Sequence, residues 1–346
     1  MSKAVIFSLL TVFAGFSSAA APALADGDVN IYSYRQPELL QPVLDAFMRK
    51  TGITANVLFL DKGLIERMQI EGENSPVDVI LTVDVARLED LKKAGATQAL
   101  TDSTIEAAIP AKFRDPDQQW FGLGVDARAV YASKDRVRQA TITYDELADP
   151  KWKGKLCLRD GQHSSNLGLF ADMISARGAA STETWLTGVK NNLARRPSGS
   201  DLGQAQSIAE GKCDVALGSA ALLAATLEHT KAPGEKKWAE AVRVIYPTAG
   251  DGGTYGNISG MALARNAPNR DNAVKLMEFL TSREGQQLYA KEVLEYPVVS
   301  GAKPAGLIGS FGILKPDGVP MSNIIRYRDQ ASELVDKVGF NAGPAD

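Results

Sequence analysis

Two doubly wound α/β lobes joined by a two-strand hinge are predicted by three observations: alternation of short β-rich runs with helical patterns, a second compositional unit starting near Phe121, and a length sufficient for two cores. In the first unit the alternation runs Val29–Tyr34 (strand), Pro37–Lys50 (helix), Thr54–Leu60 (strand), Gly63–Glu71 (helix), Val77–Val83 (strand) and Ala86–Ala94 (helix). Within the first helix Leu39, Leu40, Val43, Leu44, Phe47 and Met48 form one apolar stripe, with Pro37 near the start and Gly52 past the end, so this helix lies on the sheet with its polar side in water.

The second unit reads Val125–Ser133, Tyr144–Ala148, Gly154–Leu158, helices over Leu167–Ala176 and Thr182–Asn192, and a strand over Asp214–Leu217. A lysine-rich loop precedes a β-rich run over Val242–Pro247. Another run over Asn257–Arg265 follows, then surface helices over Asn272–Leu280 and Arg283–Glu292. The chain therefore leaves the first lobe, builds the second and returns, and its two crossings make a hinge on which lobes close. The expected bounds are 26–122 plus 247–300 for the first lobe, 123–246 for the second, and 301–346 for a C-terminal helical segment packing on the lobes.

Ahead of these units, Lys3, the apolar run Ala4–Phe16 and the small residues ending Ala23-Leu24-Ala25 read as a secretory signal peptide over 1–25, cut after Ala25. The run is too short to span a bilayer, which takes about 20 residues. Roughly 320 residues remain, exported to the periplasm and long enough for two cores. The charge is −3, and −4 once Lys3 is removed, which gives no nucleic-acid footprint and no polybasic membrane patch. Cys157 and Cys213 are the only cysteines; each lies in an apolar strand-like segment, so they form one disulfide or remain two buried thiols. His163 and His229 have no metal-ligand neighbour at helical spacing, which argues against zinc.

Ligands of open α/β sheets sit beyond the carboxyl ends of strands. Five such segments are nominated around one cleft: Ser33–Gln36, Thr82–Asp84, His163–Asn166, Gly218–Ala221 and Gly252–Tyr255. Among them Ser33, Ser164, Ser165, Asn166 and Ser219 offer a neutral hydrogen-bonding set, although serines in such loops are also turn formers. Arg35, with Gln36 beside it, either grips an anionic group or pairs with a local acid. Tyr255 either points inward as a phenol donor or metal ligand, or leaves its hydroxyl in water. Asp84 is read as a helix N-cap. His163 beside Ser164 and Ser165 lacks a nucleophile elbow, and neighbours in one loop rarely reach attack geometry, so an enzyme is not expected.

The stretches "VNIYSYRQPELLQPVLDAF", "SPVDVILTVDVARL", "DPDQQWFGL", "YDELADPKWKGKLCLRDGQHSSNLGL", "NISGMALARNAPN" and "ASELVDKVGF" resemble, in order and over nearly all of the mature chain, the ferric-iron-binding periplasmic proteins of ABC importers, the bacterial transferrin-like class. That resemblance implies a class II periplasmic binding protein fold. It implies a monomer that carries Fe(III) to an inner-membrane permease with its ATPase. Fe(III) is a hard cation that the family holds mainly with tyrosine phenolates. Here Ser165 stands where the family places the first phenolate, and Ala221 and Leu222 stand where it places the tyrosine pair. Leu202 replaces a basic residue that helps hold an anion, and Gln36-Pro37 replaces the His-Tyr of some relatives.

Ser, Ala and Leu cannot substitute for three phenolates. The expected ligand set is therefore Ser33, Arg35, Gln36, Ser164, Ser165, Asn166, Ser219, Ala221 and Tyr255, in a roomier and less anionic cleft. Its solute is Fe(III), free or as an iron chelate, or a metal-free organic or anionic compound. A ligand-sensing protein whose closed shape is read by a receptor is the remaining alternative.

Overall fold

Strand β1 (Asp28–Ser33) shows why the first lobe begins where it does: Val29 and Ile31 are wholly buried while Asp28 is exposed, as a half-covered strand requires. The computed structural model describes residues 27–250 and 252–344; the signal peptide and its cut after Ala25 lie outside them. Helix α1 (Pro37–Thr51) follows, burying Leu40, Val43, Leu44 and Phe47, and it ends at Gly52, whose φ of 75° lets its N–H reach the Met48 carbonyl.

The first unit continues through β2 (Thr54–Phe59), α2 (Leu64–Glu71), β3 (Val79–Thr82), α3 (Val85–Lys93) and α4 (Ser103–Ala108). Then come β4 (Phe121–Ser133), β5 (Leu156–Cys157), α5 (Ser164–Arg177), α6 (Ala179–Asn192), α7 (Asp201–Ala209), β6 (Val215–Ser219), α8 (Ala220–His229), α9 (Pro233–Glu240) and β7 (Val242–Ile245). The chain closes with β8 (Gly256–Leu263), α10 (Arg270–Thr281), α11 (Arg283–Val293), β9 (Tyr296–Pro297) and α12 (Met321–Lys337).

The strands run in the order β2-β1-β3-β8-β4-β6-β5, with β7 and β9 also on β4. β1 is parallel to β2 and β3, whereas β8 is antiparallel to both β3 and β4. The thirteen-residue β4 serves two partners in succession: Phe121–Ala127 pair with β8, and Arg128–Ser133 pair with β6 and β7. The return path, residues 246–255, enters β8 with the Tyr255 carbonyl accepting from the Arg128 N–H at 3.0 Å. These are the two crossings, and they meet at Arg128. With its two α/β halves sharing this hinge, the chain has the class II two-lobed fold.

Sequence reading missed three helices of the second half, α7, α8 and α9. The lysine-rich stretch before β7 is α9, set by Pro233 at its first turn. α8 begins directly on Ser219 with no loop, and its composition, AALLAATLEH, gives little amphipathic contrast. Asp145–Ala148 is a short 3-10 turn. The C-terminal helix α12 packs on α5, with Gln162 donating to the Ser332 carbonyl and Phe340 meeting Phe170 edge to face at 5.9 Å.

Cys157 and Cys213 are joined in a disulfide with Cα atoms 5.9 Å apart. It staples β5 to the start of the parallel strand β6, beneath the turns that carry His163 and Ser219. Replacing both cysteines by serine is expected to cost ~2–4 kcal/mol, because the closed loop is long; urea denaturation of the variant beside the oxidised protein checks it. A second packing constraint lies at Gly168 in α5, where an added Cβ would sit 2.0 Å from the Tyr255 hydroxyl. Gly168→Ala is expected to destabilise by ~1–3 kcal/mol through overpacking, and Tyr255→Phe in the same chain should return most of that loss, as read by thermal unfolding.

Candidate ligand-binding site

A cavity of about 170 Å³ opens where β4 changes partners, lined by Val83, Asp84, Asp126, Ala127, Arg128, His163, Ser164, Ser165, Asp201, Ser219, Tyr255 and Asn257. Four helices start on its wall: α3 after Asp84, α5 after His163, α7 at Asp201 and α8 after Ser219. Their N-termini aim partial positive charge inward. Each is capped by a side chain of the chain itself. Asp84 accepts from Arg87 N–H at 2.8 Å and Ser219 Oγ accepts from Leu222 N–H at 2.9 Å. His163 Nδ1 accepts from Ser165 N–H at 3.2 Å, and Ser200 Oγ accepts from Gly203 N–H at 3.1 Å.

One charged cluster supports the floor. Arg128, 3 % exposed, donates Nη1 to Asp201 Oδ1 at 2.8 Å and Nη2 to Asn166 Oδ1 at 2.7 Å. Arg159 adds a second guanidinium 3.4 Å from the same Asp201 oxygen. Burial alone would raise the Asp201 pKa, but the two guanidinium groups outweigh it and hold the carboxyl below its usual range. Asp126 is treated differently. Burial pushes its pKa up to about 6, against the opposing pull of its two donors, Ser219 Oγ–H at 2.5 Å and Ala221 N–H at 3.0 Å. His163 is driven the other way, below its ordinary value, by burial and then by the Arg159 charge, so it stays neutral.

The expected site residues divide into three groups. Ser164, Ser165, Ser219 and Tyr255 do share the cavity, and Asp84 lines it while capping α3 as expected. Asn166 and Ala221 stand behind the wall: Asn166 orients Arg128, and the Ala221 backbone holds Asp126. Ser33, Arg35 and Gln36 do not reach the cavity, which corrects their nomination. Ser33 Oγ turns back on Arg35 N–H and carbonyl, both at 2.9 Å, as a turn former does. Arg35 is buried against Glu295 with Nη2–Oε1 at 2.6 Å, the local-acid alternative, and Gln36 is exposed at the start of α1.

Tyr255 is corrected too. It is 1 % exposed and its hydroxyl points at Gly168 in α5. Among the described residues that hydroxyl meets no hydrogen-bond partner, and burial, ahead of the nearby Asp172 and Asp317, raises its pKa well above 10. A phenol so placed is held in its neutral form, with its hydroxyl turned toward α5. Among the described residues, no group of three or more His, Cys, Asp and Glu side chains is placed to hold a metal ion.

Ser165 Oγ and His163 Nδ1 do lie 2.9 Å apart, closer than loop neighbours usually come. The same nitrogen accepts the Ser165 N–H, so the contact completes a helix cap. Sequence reading missed Asp126, Arg128 and Asp201. A signal existed: Asp126 and Arg128, two apart in an otherwise apolar strand, must share a face, and Asp201 follows Ser200 at a helix start.

Comparison with known proteins places these features in context. Residues 32–287 match the family model described as bacterial extracellular solute-binding protein. The chain is 36 % identical over 315 residues to iron uptake protein A2 of Synechocystis, covering 90 % of each. Among solved structures it is similar to a Bordetella ferric binding protein, with a TM-score of 0.86, 46 % identity, and coverage of 91 % of this chain and 99 % of the other. It is also similar to a Trichodesmium protein in complex with iron and citrate ligands, with a TM-score of 0.85, 37 % identity, and coverage of 91 % and 100 %. A match across most of both lobes, with relatives of this closeness, establishes that the chain belongs to the bacterial extracellular solute-binding proteins, in the periplasmic ferric-iron-binding family, a group of transport proteins.

Proposed function

We propose that the chain is the solute-binding subunit of an ABC importer, exported to the periplasm, and that it captures ferric iron already wrapped in a carboxylate chelator. The observation that carries this reading is the chemistry of the cavity wall: hydroxyl and N–H donors at helix starts, a buried arginine, and Ser165, Ala221 and Leu222 at the positions where phenolates are expected. A chelate brings its own oxygen ligands to the metal. What it asks of a protein is hydrogen bonds to its outer oxygens and room for its carbon frame.

The wall draws Asp84 from the first half, Asp126 and Arg128 from the crossing strand, and His163, Ser164, Ser165 and Ser219 from the second half. A solute bridging them stabilises the closed form by contacts the open form lacks, and closure presents both lobes to the permease and its ATPase. The lobes proposed are 26–122 with 247–300, and 123–246, with 301–346 packed on them and a monomer as the working unit. A second reading, a metal-free carboxylate solute, is favoured by the same wall, since no phenolate there requires iron.

Thermal unfolding with ferric citrate, citrate alone and ferric ion from a weak chelator separates these readings. Saturation at a hundredfold excess over Kd stabilises by about 2.7 kcal/mol, so ferric citrate should raise the melting temperature by several degrees without a phenolate-to-iron colour band. An equal shift with citrate alone would select the metal-free reading. A strong visible band with bare ferric ion would overturn both, because it demands phenolate coordination.

A further inference from the structure

The cavity holds one carboxyl group whose partners do not match its charge. Asp201 faces two guanidinium groups, Arg128 and Arg159, but among the described residues Asp126 receives only the Ser219 hydroxyl and the Ala221 N–H, both neutral. Asp126 is partly buried and lines the cavity, so an anionic solute seated on the helix starts would lie against it. A second carboxylate at that distance is repelled in proportion to how little water remains between the groups.

We propose that Asp126 takes up one proton as the solute binds, so that the solute-binding site accepts an anion together with a proton. The inference rests on the reading of the solute as a carboxylate compound. The exchange balances simply. In the empty site the Ser219 hydroxyl donates to Asp126 Oδ2, and Ser219 Oγ accepts from Leu222 N–H. When a solvent proton adds to Oδ2, Asp126 becomes the donor toward Ser219 Oγ. The Ser219 O–H is then released to donate to an oxygen of the solute, and Oδ1 continues to accept from Ala221 N–H. One negative charge is removed and one donor is turned into the cavity.

The geometry agrees with the electrostatics. Asp126 already sits near the proton-accepting range, at about 6, because burial outweighs its two donors and Glu295 and Asp201 add repulsion. The other groups facing it do not compete. Glu295 is tied to Arg35 and Ser259, Asp201 to its arginines, and Asp84 to the start of α3. Tyr131, Tyr144, Tyr246 and Tyr255 are all raised above 10 and stay neutral. His163 is the one other group that titrates nearby, below its ordinary value. Because the folded-state pKa of Asp126 is raised, an anion pressing on it raises it further, and affinity must increase as pH falls toward 6 and flatten once the group is protonated.

Isothermal titration of the full mature chain with citrate and with ferric citrate, between pH 8 and pH 5, tests this. Wild-type affinity is expected to rise up to roughly tenfold per pH unit on descending toward 6, beyond the change due to citrate's own protonation. Asp126→Asn should lose that excess slope and bind at pH 7.5 as tightly as the wild type does near pH 5.5. His163→Gln should keep the slope whatever its affinity. Independently of any variant, repeating the wild-type titration at pH 7 in two buffers of different ionisation enthalpy should show net uptake approaching one proton per solute. An unchanged slope in Asp126→Asn, a slope lost in His163→Gln, or no proton uptake by the wild type would each overturn the proposal while leaving anion binding intact. Failure of both probes to bind at any pH would instead sink the carboxylate-solute reading and this inference with it.

Discussion

A strand that hydrogen-bonds to two sheets must change partners somewhere, and in β4 the change falls between Ala127 and Arg128. Everything at the site follows from that point. The ladder with β8 ends, the ladder with β6 begins, and the returning chain crosses beside it through the Arg128–Tyr255 hydrogen bond. Asp126 and Arg128 lie two apart on one face of the strand, and both line the cavity there.

The ion pairs at this point are held by more than Coulomb attraction. A buried guanidinium needs partners for its charge, and Arg128 gives Nη1 to Asp201 and Nη2 to Asn166, while its Nε meets no hydrogen-bond partner among the described residues. Asp201 is at the first turn of α7, where the helix dipole adds to the stabilisation of its charge. Arg128 is thereby committed to the framework and holds α5 and α7 together beneath the cavity. The hydrogen bonds open to a solute come instead from serines at the helix starts and from Asp126, whose charge is not matched.

In the proposed site the frame of the fold and the side chains that would meet a solute rest largely on different residues. The frame depends on apolar alternation, on caps and on glycines such as Gly124, where a Cβ would fall 2.3 Å from Glu295 Oε2. The apolar alternation and Gly124 stand away from the cavity, whereas the caps Asp84, His163 and Ser219 also line it. The contents depend on a few side chains at strand ends, and Ser165, Ala221 and Leu222 can replace larger groups there without disturbing a core residue. Leu222, 40 % exposed on the first turn of α8, carries no polar function at all.

Local rules gave the two lobes, the order of their principal strands and helices, and the caps, because alternation, Pro37 at a helix start, Gly52 at its end and Asp84 before α3 act over a few residues. They also placed Ser164, Ser165 and Ser219 around one cavity, since strand ends gather there. Three things needed the tertiary structure. Arg35 meets Glu295 across 260 positions, and Tyr255 turns its hydroxyl under α5 rather than into the cavity. Asp126 and Arg128 become the floor of the site only because β4 trades partners between them. Sequence by itself determined what most segments are, because secondary structure is set largely by near neighbours; folding decided which side chains face one another and which charges are matched, because those are contacts between residues far apart in the chain.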